Sequence, residues 1–283
     1  MKPVRKPRLL AANAVAVAFA VVIAFPLYWM VLAAFKPEDE LLSTDPRPWT
    51  TAPTLDGFRR VLTVDGLGGY FVNSLIVAGA VVVLSLFMSF LAAVALTRFR
   101  FRGRAVLLVM LLVAQMVPVE ALTIPLFFLM RQVGSVAPVF GLNHLGSLVL
   151  VHLAFSLPLA IWMLRGFVAA VPTELEEAAT LDGASRSRFV WQVLFPLVAP
   201  GLVATSVLAF IHAWNDFLFA RTFIISATEN QTLPMAILVF FSPQGNDWGA
   251  IMAGSTLMTI PVLIFFVLVQ RRLVSGLSGA VKQ

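Results

Sequence analysis

Glu174-Leu175-Glu176-Glu177-Ala178-Ala179-Thr180-Leu181-Asp182-Gly183-Ala184-Ser185-Arg186-Ser187-Arg188, running on into Phe189-Val190-Trp191-Gln192-Val193-Leu194-Phe195-Pro196, decides how this chain is read. Its first half crowds four acids (Glu174, Glu176, Glu177, Asp182) and two arginines (Arg186, Arg188) between two long apolar segments. Pro172-Thr173 followed by Glu176 predicts a capping box, with Thr173 capping the first turn and Glu176 reaching back to it. Glu174, Glu176 and Glu177 then lie near the positive end of the helix dipole. Gly183 falls about two turns later, where a residue of positive φ closes a helix. Ser185 caps a second helix that enters the next apolar segment and meets Pro196. Ala178 and Ala179 leave the short helix flat enough for close approach by another protein. Periodicity alone leaves two readings open, a docking surface or an interfacial helix that shields lipid headgroups.

Working outward, composition places this loop in a membrane protein. The chain of 283 residues is 60% apolar and only 12% charged, with a mean hydropathy of +0.93, far from soluble averages. A bilayer-crossing helix needs about 20 apolar residues, and six such stretches occur, near 9–35, 70–97, 105–130, 145–164, 193–215 and 250–270. The first is too long for the apolar core of a secretory signal and ends in Pro26, Tyr28 and Trp29, so it reads as a permanent span. The expected fold is an all-α integral membrane protein of six transmembrane helices. One membrane domain covers residues 1–283, with the polar loop at about 172–192 between spans four and five. No internal repeat is visible. Cysteine is absent, which excludes disulfides and thiol chemistry.

Lysine and arginine set the orientation, because short cytoplasmic loops carry the excess. Of the 20 basic residues, 14 fall on one side of a six-span arrangement: Lys2, Arg5, Lys6, Arg8, Arg98, Arg100, Arg102, Arg104, Arg165, Arg186, Arg188, Arg271, Arg272 and Lys282. The other side has Lys36, Arg47, Arg59, Arg60, Arg131 and Arg221. Both termini and the Glu177 loop are therefore expected in the cytoplasm. The formal charge of +6 is a topogenic signal. Nucleic-acid binding is excluded, since the basic clusters are short and juxtamembrane. On the outer side, residues 36–69 and 217–249 form long connections, and loops of this length are often functional. Met235 to Phe241 is too short to span and reads as an interfacial or re-entrant helix.

The spacing Glu177-Ala178-Ala179, three residues, Gly183, nine residues, Val193-Leu194-Phe195-Pro196 resembles the signature loop of permease subunits of ATP-binding-cassette importers. Where that family has Ile and Leu, this chain has Val193 and Phe195, a change of apolar size only. Further matches run along nearly the whole chain: Phe71-Val72-Asn73-Ser74, Gln115-Met116-Val117-Pro118, Leu157-Pro158-Leu159-Ala160, Leu164-Arg165-Gly166-Phe167, Trp214-Asn215-Asp216, and Gly276-Leu277-Ser278-Gly279-Ala280-Val281-Lys282. Together they are similar to the maltose-type (MalG-like) branch, which imports oligosaccharides and related polyols or glycerophosphodiesters.

The resemblance implies a division of labour. The short helix becomes a coupling helix seated in a cleft of a cytoplasmic ATPase dimer, with Glu177, Ala178, Ala179, Leu181, Asp182 and Gly183 at the docking positions. Glu177 would meet a basic group there, and Gly183 would keep the corner tight. A homologous second permease subunit completes the pathway, and an extracytoplasmic solute-binding protein delivers a sugar or related polar solute. ATP and magnesium belong to the ATPase, with no cofactor in this chain. The location implied is a bacterial or archaeal plasma membrane.

Residue chemistry agrees that the engine lies elsewhere. The lysines are Lys2, Lys6, Lys36 and Lys282, so no Gly-rich phosphate loop with its lysine exists here. The metallohydrolase and serine-hydrolase signatures are also missing. His144, His152 and His212 are scattered singly and read as packing or hydrogen-bonding residues, since zinc needs convergent ligands. No catalytic residue and no metal site is expected. Ionisable groups within spans are functional candidates, which singles out Glu120 and Asp216, with Gln115 and Asn215 as amides suited to a neutral polyhydroxylated substrate. The plainer reading, that Glu120 and Asp216 reach to the outer interface, leads at this point. Two other classes compete: a self-contained secondary transporter or channel, which calls for paired half-repeats, and a membrane scaffold with no transport role.

Overall fold

The computed structural model describes the backbone of residues 6–243 and 245–280, and the side chains of 12–243 and 245–270. Lys2, Arg5 and Lys282 lie outside the described residues, as do the side chains of Lys6, Arg8, Arg271 and Arg272. Among the described residues every regular element is a helix. The long ones are α1 (Lys6–Ala34), α2 (Leu67–Arg98), α3 (Arg104–Ala114), α4 (Thr123–Val136), α5 (Leu145–Ala170), α6 (Glu174–Leu181), α7 (Arg186–Leu197), α8 (Ala199–Trp214), α9 (Leu218–Phe223) and α10 (Trp248–Ala280). Four contain stretches long and apolar enough to cross a membrane: Ala12–Ala34, Leu67–Arg98, Leu145–Ala170 and Trp248–Gln270. A fifth crossing results if the bent pair α7 and α8 is counted as one. Continuous backbone pairing within each helix is what hydrocarbon demands of a spanning segment.

Two of the expected spans are not single helices. The third was expected over 105–130, interrupted at Glu120, with Pro118 and Pro125 on either side of it as the places where the helix breaks; α3 stops after 11 residues and is too short to cross on its own. Residues 115–119 are irregular, a 3-10 turn covers Glu120–Leu122, and α4 follows. Pro118 is the physical cause, for it has no N–H to continue the helical ladder and its ring clashes with the turn before it. Pro125 does not break the chain, because it falls in the first turn of α4. The fifth span, expected over 193–215, is bent by 71° between α7 and α8. Pro196 and Pro200, four residues apart, each remove a donor at the corner. The turn before it, Phe189–Leu194, widens into a π-helix, a feature that accompanies missing i→i−4 bonds and frequently marks functional sites.

The chain divides into two compact units. One comprises residues 1–67 and 237–260. Its core gathers Ala34, Val61, Ala250 and Ala253, and Arg60 clasps Asp247 at 2.5 Å, while Asp247 also accepts the N–H of Ala250. Lys36 is buried, donating to the Arg47 carbonyl at 2.6 Å and lying over the Trp29 ring. Along α1, Val15, Phe19, Val22 and Leu27 stand exposed, as suits a helix whose solvent is lipid.

The other unit comprises residues 68–236 and 261–283. On α2, Val77, Val81, Ser85, Ser89 and Ala93 face the interior at four-residue spacing, while Val83, Phe87 and Met88 face outward. The small residues let neighbouring backbones approach closely, and each serine hydroxyl is satisfied within its own helix. Helix α5 packs along α8, where Gly201 lies so close to the Phe167 ring that an added Cβ would stand 2.4 Å from it. Three polar residues bind down the segment after α9. Asn143, at φ +65°, accepts the N–H groups of Ile225 and Ser226 on its Oδ1. Asn73 donates to the carbonyls of Glu229 and Gln231, and Ser74 accepts the Leu233 N–H. The Asn73-Ser74 pair noted in the sequence thus fastens a long connection.

Candidate functional site

Helix α6 realises the short, sharply bounded helix expected, but not by the expected cap. Thr173 has helical angles (φ −69°, ψ −24°) and its side chain makes no cap; instead its carbonyl accepts the N–H groups of Glu176 and Glu177. The capping box does not form because Thr173 is already helical and not in the extended conformation a cap needs, and the Glu176 carboxylate lies 3.8 Å from the Arg98 guanidinium. Arg98 is nearly buried and donates to the carbonyls of Val168 and Val171, at 3.3 and 2.7 Å. One arginine at the end of α2 therefore closes the last turn of α5 and touches α6. Sequence reading counted Arg98 only as a topogenic charge; its burial was not visible there.

The far end of α6 matches expectation closely. Gly183 has φ +79°, the Ala184 N–H returns to the Ala179 carbonyl at 2.9 Å, and the Gly183 N–H to that of Thr180 at 3.0 Å. This is the Schellman pattern, which satisfies carbonyls left open at a helix end. Ser185 then caps α7, accepting the Arg188 N–H on its Oγ. The six docking candidates do not all face one way. Ala179 packs against the core built from Phe90, Leu164, Val168, Phe189 and Leu194. Glu177, Ala178, Asp182 and Gly183 are exposed, and Leu181 is 89% exposed, a large apolar side chain with nothing over it.

The second site is a cavity of about 430 Å³, within the usual size range for small-molecule pockets. Gln115, Glu120, Asn215 and Asp216, the four residues singled out from the sequence, all line it. The break at Pro118 is what places Gln115 and Glu120 there, and the Gln115 amide donates to the Phe155 carbonyl at 3.3 Å, tying the broken segment to α5. Pro158 lies buried inside α5, next in sequence to the lining residue Leu159, and its missing N–H interrupts the helical ladder there. Phe155 and Phe219 stack at 5.7 Å between centroids and contribute an aromatic face.

Asp216 is turned into the protein, with its side chain 9% exposed. Its carboxylate accepts the Phe219 and Ala220 N–H groups at 3.1 and 3.0 Å, free donors at the start of α9. Its Oδ2 lies 3.3 Å from Nε2 of His152, and both side chains are below 10% exposed. Glu120 is exposed and lines the cavity, and it forms no ion pair among the described residues. His152 and His212, read from sequence as isolated, both line the cavity. Their convergence has no spacing signal, since α5 and α8 are far apart in the chain. Among the described residues no group of three or more His, Cys, Asp or Glu is placed to hold a metal.

Residues 85–279 match the family described as the binding-protein-dependent transport system inner membrane component. The chain is 41% identical over 271 residues to the diacetylchitobiose uptake system permease protein DasC of Streptomyces coelicolor, covering 95% of this chain and 96% of that protein. It is 34% identical to the trehalose/maltose transport system permease protein MalG of Thermococcus litoralis, covering 94% of each. The fold is shared with a bacterial ABC transporter involved in the import of the acidic polysaccharide alginate, at a TM-score of 0.74 and 21% identity over 95% of this chain and 98% of that one. The chain belongs to the family of binding-protein-dependent transport system inner membrane components. It is a permease subunit of an ABC importer, a multi-pass plasma-membrane transport component and not an enzyme.

Proposed function

We propose that this permease forms half of the pathway for a sugar or related polar solute, a neutral saccharide in the first place. The observation that carries the reading is the convergence of Gln115, Glu120, Asn215 and Asp216 on one cavity with an aromatic wall. Amides, a carboxylate and ring faces are what a polyhydroxylated substrate needs, because each hydroxyl both donates and accepts. The similarity to diacetylchitobiose and trehalose/maltose permeases supports the same class. The chain crosses the membrane six times, α3 and α4 together making the third crossing and α7 and α8 the fifth, with both termini in the cytoplasm. The 14-to-6 partition of basic residues supports that topology.

Helix α6 is the coupling helix. It sits in a cleft of a cytoplasmic ATPase dimer, which binds ATP and magnesium, and its exposed Glu177, Ala178, Leu181, Asp182 and Gly183 form the contact. A second, homologous permease closes the pathway, and an extracytoplasmic binding protein delivers the sugar. Uptake of labelled disaccharides into proteoliposomes tests the assignment. It should require this chain, the second permease, the ATPase, the binding protein and ATP together. Undiminished ATP-dependent uptake when this chain is omitted would refute it.

A further inference from the structure

The lining of the cavity has a charge pattern that the shape alone does not suggest. Glu120 presents a carboxylate that pairs with no cation among the described residues. Asp216 is engaged by two N–H groups and by His152. Among the described residues neither arginine nor lysine lines the cavity, and the basic side chains there are His152, already against Asp216, and His212. From this we infer that the cavity discriminates by charge: it accepts neutral saccharides and rejects acidic ones, with Glu120 as the specificity-determining residue. The inference rests on the reading that the cavity belongs to the substrate path.

The physical argument is one of unpaired charge. A uronate, sulfonate or phosphate group brought into this space meets the Glu120 carboxylate and leaves water without gaining a guanidinium or ammonium partner from this subunit. Like charges held close in a partly desolvated site oppose binding strongly, and a site can gain specificity from such an element of repulsion as much as from attraction. A neutral sugar suffers nothing comparable. Its hydroxyls donate to Glu120 and exchange hydrogen bonds with Asn215 and Ser156, while the C–H face of a ring lies on Phe155 or Phe217.

The test uses the purified complex of this chain with its permease and ATPase partners, free of binding protein so that delivery does not impose its own selectivity. Equilibrium binding is measured for three matched disaccharides: a neutral one, an N-acetylated one and one ending in a uronic acid. The native complex should bind the uronate about tenfold or more weakly than the neutral sugar. Glu120→Gln should narrow that ratio, and Glu120→Arg should reverse it. Equal binding of neutral and acidic sugars by the native complex, no binding of any of the three, or a ratio unchanged in both variants overturns the inference. Asn215→Trp, which fills the cavity, separates this from failure of the underlying reading. If that variant assembles and still binds and imports every sugar as the native complex does, the cavity is not on the path at all.

Discussion

At Gly183 the backbone sits at φ +79°, and a Cβ added there would find nothing within 4 Å, so any substitution is penalised by backbone conformation and not by crowding. A β-branched residue is the worst case, and strain of this kind is about 1–3 kcal/mol. Gly183→Val should therefore insert and assemble at native levels, yet lose most ATP-coupled uptake as α6 loses its corner. Gly183→Asn, which tolerates the left-handed region, should retain much more. Uptake together with stimulation of ATP hydrolysis by loaded binding protein reads both, and full coupling in the Val variant would remove α6 from the transmission path. Arg98 is the other instructive residue. Arg98→Ala strips donors from the Val168 and Val171 carbonyls, and a buried acceptor left without a partner costs about 1–3 kcal/mol. Thermal unfolding in detergent should show a destabilised protein. Arg98→Lys should recover only part of the loss, because an ammonium lacks the planar fork that spans two carbonyls and a carboxylate. Native stability in the Ala variant would show the contacts to be dispensable. The Thr173 cap was misread at this same scale: a local pattern matched, but the helical backbone angles of Thr173 take its hydroxyl out of the capping position.

Among the elements, α3 and the corner between α7 and α8 teach the most. Both were counted as spans from apolar length, which is legible because hydrocarbon admits only long apolar segments. Their interruption depended on Pro118 in one case and on the pair Pro196 and Pro200 in the other, residues whose effect is local and whose consequence is not. Pro118→Ala should allow α3 to extend and should draw Gln115 and Glu120 away from the cavity. The expected phenotype is normal insertion with uptake reduced several-fold, measured beside a protein-level control; unchanged uptake would mean that the break does not shape the path. Topology is tested at this scale too. With an impermeant thiol reagent on intact cells, cysteines placed at Asp45 and Glu229 should be labelled and one at Ser185 should not. External labelling at Ser185 would invert the arrangement and disconnect α6 from any cytoplasmic ATPase.

For the molecule as a whole, the absence of a phosphate loop from the sequence predicts that the purified chain alone neither binds nor hydrolyses ATP, and that turnover appears only when the ATPase subunit is added. Stoichiometric hydrolysis by the isolated chain, with contaminants excluded, would overturn its role as a passive pathway subunit. Sequence alone determined the membrane class, the polar loop, the helix-ending Gly183 and the polar residues within apolar stretches. Each of these follows from local constraints, namely the length of apolar runs, the φ that glycine permits and the cost of a charge in lipid. Only the tertiary structure decided that Asp216 meets His152, that Arg98 bridges α2, α5 and α6, and that Gln115, Glu120 and Asn215 share one cavity. Those meetings depend on how α5 rotates and packs against α8 and on where proline breaks a helix. Residues far apart in the chain reveal no period that announces such a contact, because proximity in a bundle is set by packing between helices and not by spacing along them.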